Sequence, residues 1–294
     1  AAAGGACCGS GAAQREETYY EKHVAFGDAT PEEKLSMAAR LVPTPEQLAW
    51  QQWELTAFIH FTVNTFTDKE WGDGKESPDV FAPTEIDTDQ WVETLRDAGF
   101  GMVMLTAKHH DGFCLWDTKY TDYKTTAEDC PFHEHKNADI VKSMFDAFRE
   151  KGIGIGAYFS KADWHCPDYW NEELRKDGMT SRGPSYDPKE YPEVWNRFKE
   201  YTKNQVLELC ENYGKLDILW FDAGWVCEHN GQDIDLGDIV DEARKIQPWV
   251  LSVDRTIGGA YENYVTPELC IPEEPLGVPW ESCLTLGVDF TYEY

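Results

Sequence analysis

Asp222 closes the most apolar run of the chain, LDILWFD at 216–222, and is followed at once by Ala223, Gly224 and Trp225. Trp220, Phe221 and Trp225 would strip water from this carboxylate, and burying an unpaired charge is costly. A reactive acid explains that placement better than a helix cap does. His109 and His110 stand side by side where the run GMVMLTAK ends. Neighbouring strand residues point to opposite faces. Both imidazoles can therefore reach one pocket only where the strand breaks, and the following DGF supplies the break. His60 ends another apolar run, and Glu70 beside Trp71 in DKEWGDG sets a hydrogen-bond acceptor next to an indole face. Acid, imidazole and indole together suit nucleophilic or acid–base work on a ligand rich in hydroxyl groups. His60, His109, His110 and Asp222 could also ligate a metal, but no H-E-x-x-H or similar spacing supports that. The HEH at 133–135 lies in a charged loop and reads as solvated.

These groups need elements to hold them. Apolar runs at 55–61, 101–110, 153–160, 216–222 and 249–255 read as strands. Between them, 87–100 spaces Trp91, Val92, Leu95 and Ala98 along one helical face, and 137–152 does the same with Ile140, Val141, Met144, Phe145 and Phe148. A long amphipathic helix is expected at 192–214 and a shorter one at 236–247, before Pro248. Thr30 and Pro31 open a short helix within 30–41. Strands without polar alternation, separated by helices, predict a parallel sheet covered on both faces.

A doubly wound sheet and a β/α barrel both satisfy that pattern. No G-x-G-x-x-G follows any strand, which weakens the nucleotide-binding version. Polar residues end all five strands: His60, then His109 and His110, then Tyr158 and Ser160, then Asp222, then Asp254 and Arg255. That rim is where a barrel carries its chemistry. The expected fold is α/β, a (β/α) barrel of TIM type. Residues 1–42 read as a flexible tail bearing the short helix, and 43–294 as the catalytic barrel. After Arg255 the prolines 267, 272, 275 and 279 forbid long helices. SCLTLGV is a candidate sixth strand, and eight strands would need about two more strand–helix units. The barrel is thus expected to be irregular and truncated at its C-terminus.

Composition narrows the ligand. Lys plus Arg is 26 and Asp plus Glu 54, a formal charge of −28. Such a surface repels phosphate backbones and anionic lipid, so a nucleic-acid or membrane-surface partner is not expected. No stretch of about 18 apolar residues offers a membrane span. Twelve tryptophans and fourteen tyrosines give many faces for sugars or cations as well as core filling. Nine cysteines without a C-x-x-C pair exclude a fully paired disulfide framework and argue against a cysteine zinc site. The opening AAAGGACCGSGAA reads as a small-residue tail, and its GAC resembles the end of a lipoprotein leader.

AFIHF, EWG, TAKHHDGF, WDTKYTDY, GAYFS and LWFDAGW, in that order, resemble the α-L-fucosidases of glycoside hydrolase family 29, from about residue 43 to the end. The resemblance implies a β/α barrel, commonly followed by a β-sandwich, and a retaining mechanism with no metal and no cofactor. It implies that Asp222 is the nucleophile and that His60, Glu70, Trp71, His109, His110, Tyr158, Trp220 and Arg255 line the fucose pocket. The acid/base varies within the family, and Glu262, Glu268, Glu273, Glu274 and Glu281 are the candidates. Glu268, in NYVTPE, lies at the family's usual distance beyond Arg255, with Glu262 next; Glu281, in PWES, suits a binding or structural position better. RTIGGAYENYVTPE and PWESCLT resemble the branch that prefers α-1,3 and α-1,4 linkages. The implied activity is that of a retaining exo-α-L-fucosidase acting on a fucosylated oligosaccharide or glycoconjugate, in a periplasmic or extracellular setting. Two other readings stay open: a catalytically inactive fucose-binding fragment, expected if the segment completing the barrel and any sandwich are absent, and a metal-dependent barrel hydrolase.

Overall fold

Two copies of one helix-start signal stand at the head of the described residues. This computed structural model describes residues 27–40, 42–255 and 261–286. In TPEE and TPEQ a threonine caps the backbone, proline takes the first helical position, and the side chain three residues on reaches back. The resulting capping boxes join Thr30 to Glu33 and Thr44 to Gln47. They start α1 (Pro31–Ala38), the expected short helix, and α2 (Pro45–Trp53), which falls where the sequence reading has no element. The GAC motif lies outside the described residues.

Five strands follow: β1 (Thr56–Ile59), β2 (Met102–Lys108), β3 (Gly154–Ser160), β4 (Ile218–Asp222) and β5 (Leu251–Asp254). Each pairs in parallel with the next, so the sheet order is the chain order. The linking helices are α3 (Thr88–Asp97), α4 (Ile140–Glu150), α5 (Pro192–Asn212) and α6 (Leu236–Ile246). No strand reverses the order, so the sheet has no switch point of the doubly wound kind. Among the described residues no ladder joins β5 to β1, and the displayed architecture is an α/β fold with a five-stranded parallel sheet. The candidate sixth strand needs correction: Cys283 makes only an isolated bridge to Glu268, as Trp280 does to Val265. Prolines 267, 272, 275 and 279 lack the amide donors that a ladder needs.

The two faces of the sheet differ. Val103, Leu105, Ala157, Phe159, Leu219 and Phe221 join the helix side, with the buried stripes of α3 to α6. On α4 that stripe is Ile140, Val141, Met144, Phe145 and Phe148, each contributing roughly 1.5–3 kcal/mol through burial. Met102, Met104, Tyr158, Ile218, Trp220, Leu251 and Val253 face the other way, against Trp50 and Trp53 of α2 and Tyr264. Trp50 stacks on Tyr264 with ring centroids 4.1 Å apart. The Trp53 indole packs against Gly154, where an added Cβ would come within 2.6 Å of the ring. α2 therefore closes the lower end of the inner face, and the strand ends form the open end.

Candidate active site

β2 carries a bulge between Thr106 and Lys108, and the alternation of side chains shifts there. Lys108 turns to the helix side, where its ammonium meets Asp163 at 3.1 Å and Gln205 of α5 at 2.9 Å. His109 then faces inward, stacked on Tyr158 at 5.7 Å and edge-on to His60 at 4.7 Å. The strand ends at Lys108, so His110 can turn to the same cavity; its Nδ1 lies 2.7 Å from Ser160 Oγ. Burial pushes the pKa of His60 and His110 down to about 4 and holds that of His109 well below the usual imidazole range. All three are neutral at pH 7, each with one donor and one acceptor to share with hydroxyls.

β4 delivers Asp222 beside them. Its side chain keeps 22% exposure. Tyr158, whose pKa burial pushes far up, donates its hydroxyl to Asp222 Oδ2 at 2.6 Å. Burial alone would raise the Asp222 pKa, but His110, Arg255, the Tyr158 hydroxyl and the Ala223 amide outweigh it and hold the carboxyl below its ordinary value. With His110 neutral, Arg255 and the hydrogen bonds are what act near pH 7. Ala223 takes a left-handed φ of 67°, and this turn brings Trp225 back over the site, 4.9 Å from His110. Trp71 stands 5.8 Å from His110 and 6.3 Å from Trp225.

The ten leading sequence candidates, Asp222, Glu268, His60, Glu70, Trp71, His109, His110, Tyr158, Trp220 and Arg255, all line one cavity of about 530 Å³. That lies within the range of about 300–1,000 Å³ usual for ligand sites. Arg255 sits 5.2 Å above Trp220 and forms an ion pair with Glu268. Glu262, the runner-up acid, is fully buried and is not part of the wall. Glu281 lies beneath the floor, where it accepts from Trp220 Nε1 at 3.3 Å and bonds Trp50 and Tyr264; burial raises its pKa. Ligand atoms of His109, His110 and Asp222 come within 4.8 Å of one another. His110 and Asp222 already hold Ser160 and Tyr158 as partners, a pattern suited to organic hydroxyls more than to a cation.

The sequence model of the family described as Alpha-L-fucosidase matches residues 36–294. Alpha-L-fucosidase 1 of Arabidopsis thaliana is 38% identical over 182 residues, which is 62% of this chain and 31% of that protein. The solved α-L-fucosidase isoenzyme 1 from Paenibacillus thiaminolyticus gives a TM-score of 0.65 at 29% identity, covering 83% of this chain and 62% of its own. A Bacteroides thetaiotaomicron α-L-fucosidase of family 29, solved as a trapped covalent intermediate with 2-fluoro-fucosyl fluoride, gives 0.66 at 25% identity over 84% and 61%. The chain belongs to the α-L-fucosidase family. It spans about a third of the length of the Arabidopsis relative and about three fifths of the two solved chains.

The wall of this fucosidase-family cavity also contains residues that motif reading does not reach. Phe58, Arg182, Leu269 and Cys283 are among them. Phe58 has a faint signal, being two residues before His60 on the same strand face. Arg182 has none: it sits in the loop GMTSRGPS, more than twenty residues past β3, and no periodicity says where such a loop folds back.

Proposed function

We propose that the protein is a retaining exo-α-L-fucosidase that releases terminal α-linked L-fucose, with Asp222 as nucleophile and Glu268 as acid/base. The observation that carries this is an ionised Asp222, gripped by Tyr158, on the cavity wall of a fucosidase-family chain. Asp222 attacks the anomeric carbon as the glycosidic C–O bond breaks, and Glu268 protonates the departing oxygen. Glu268 then takes a proton from water, which attacks the same carbon and frees Asp222. The neutral histidines, Glu70 and Tyr158 hold the sugar hydroxyls, and the indoles of Trp71 and Trp220 exclude bulk water. The trapped covalent intermediate of the Bacteroides relative supports the two-step course.

The parallel sheet, in chain order with its helices on one face, supports a β/α barrel wall. The resemblance of the 255–285 region supports α-1,3 and α-1,4 linkages on branched glycans, met in a periplasmic or extracellular setting.

The test is Asp222→Gly. The variant is expected to fold, to lose aryl fucoside turnover by at least about a thousandfold, and to recover with azide, giving a β-fucosyl azide. Full activity in the variant would refute the nucleophile assignment. A ligand complex is expected to place the Glu268 carboxyl about 5–5.5 Å from that of Asp222. Dialysis against EDTA is expected to leave turnover unchanged, and its loss would favour the metal-dependent reading.

A further inference from the structure

Arg182 stands where the proposed cleavage has no use for a cation. The residue is exposed at the cavity rim, with its guanidinium 4.3 Å over the Trp71 ring and 5.7 Å over that of Trp225. Its backbone is fixed, because its carbonyl accepts from Trp164 Nε1 at 3.1 Å and from the Tyr169 hydroxyl at 2.9 Å. Trp164 in turn lies parallel to Trp225, 6.5 Å away. In so acidic a chain arginines find carboxylates readily: Arg96, Arg149, Arg175, Arg197 and Arg255 each have one within 4 Å. Among the described residues, Arg182 has none.

We propose that Arg182 is an anion subsite, which receives a carboxylate or sulfate ester on the part of the glycan beyond the fucose. The inference rests on the fucosidase reading. A planar guanidinium backed by indoles keeps its N–H edges for a planar or tetrahedral oxyanion, and such charge-assisted contacts are among the stronger ones. The net charge of −28 opposes an anionic ligand at long range, but charges more than about 8 Å away are largely screened at physiological salt. At the rim, the contact with Arg182 outweighs them.

Three glycans built on fucosylated N-acetyllactosamine test this: the neutral trisaccharide, its sialylated tetrasaccharide bearing a carboxylate, and its sulfate ester. Turnover and calorimetric affinity are measured for each with the whole chain and with Arg182→Met, which keeps an apolar stem over the indoles but no charge. The ratio of anionic to neutral affinity, and of the corresponding kcat/KM values, is expected to fall about threefold to fivefold in the variant, the upper range for one exposed charged contact. The arm that falls identifies carboxylate or sulfate. A ratio that stays within twofold in both arms overturns the inference. Affinity that follows the charge without turnover counts against the hydrolase reading alone, and turnover blind to the charge counts against the subsite alone.

Discussion

The Tyr158 hydroxyl donates to the Asp222 carboxylate at 2.6 Å, and removing that hydrogen bond has a predictable sign. The Tyr158 hydroxyl favours the ionised carboxyl, so Tyr158→Phe raises the Asp222 pKa. Turnover that needs ionised Asp222 then falls off sooner on acidification, and the acidic limb of kcat/KM moves to higher pH. A hydrogen bond to a charged group is worth about 1.5–3 kcal/mol, so kcat/KM near pH 7 is expected to drop about tenfold or more. A pH–rate profile of the variant with an unmoved acidic limb would break the link. At this scale the candidate residues were legible wherever a strand end carried them, because a polar side chain after an apolar run has few places to go. Arg182 was illegible because its position depends on a loop whose path no local pattern encodes. Glu268 needed a family spacing, since five glutamates in one proline-rich stretch look alike.

At the scale of elements, one buried ion pair ties the β2 bulge to the loop after β3, and Gln205 and Tyr201 of α5 hydrogen-bond its two members. The Asp163 carboxylate takes Lys108, the Tyr201 hydroxyl, and the amides of His165 and Cys166, so it fixes the loop that carries Trp164. Both charged side chains are at most 1% exposed. Lys108→Met leaves that carboxylate buried and is expected to cost about 3–5 kcal/mol in chemical denaturation. Adding Asp163→Asn should recover part of the loss; strictly additive losses would show that the pair is uncoupled. Gly112, with φ of 88°, packs so closely that a Cβ would collide with the same carboxylate. Gly112→Ala should therefore destabilise by more than the roughly 1 kcal/mol typical of left-handed backbone alone. The five main strands and four linking helices follow from periodicity. α2 was missed although TPEQ repeats the TPEE signal, because its tryptophans pack on the inner face of the sheet and leave no helix-side stripe.

For the molecule as a whole, the buried histidines set a pH dependence of stability. His60, His109 and His110 have folded pKa values below the ordinary imidazole value, so the unfolded chain binds protons first as pH falls. Their contribution is complete above about pH 6.5 and is lost on acidification toward about 4. Asp111 works the other way: burial, with Glu76 and Asp163 nearby, pushes it up to about 7, so it favours the folded state more at lower pH. Asp139 and Glu281, also raised by burial but less than Asp111, act with it. The three imidazoles, whose shifts are large, dominate between about pH 7 and about pH 5 and leave a loss of about 1.4 kcal/mol per pH unit for each net proton. Urea midpoints should drop from about pH 7 to about pH 5, and a flat or rising trend would contradict the neutral-imidazole cluster.

The bulge in β2 has a consequence for how this strand can change over time. Substitutions along it alter one side chain each. Ala107 is the surplus residue of its two-to-one pairing with β3, so deleting it would set Lys108 opposite Phe159 in a regular ladder with the later faces unchanged. Inserting a further residue before Lys108 would instead move everything after it to the opposite face. After such an insertion Lys108 would face the imidazole cluster and His109 would leave it. Lineages of this protein should therefore tolerate spelling changes in that strand and loss of a residue only at the bulge, and in a library of single-residue deletions across 102–110 the survivors should concentrate at Ala107.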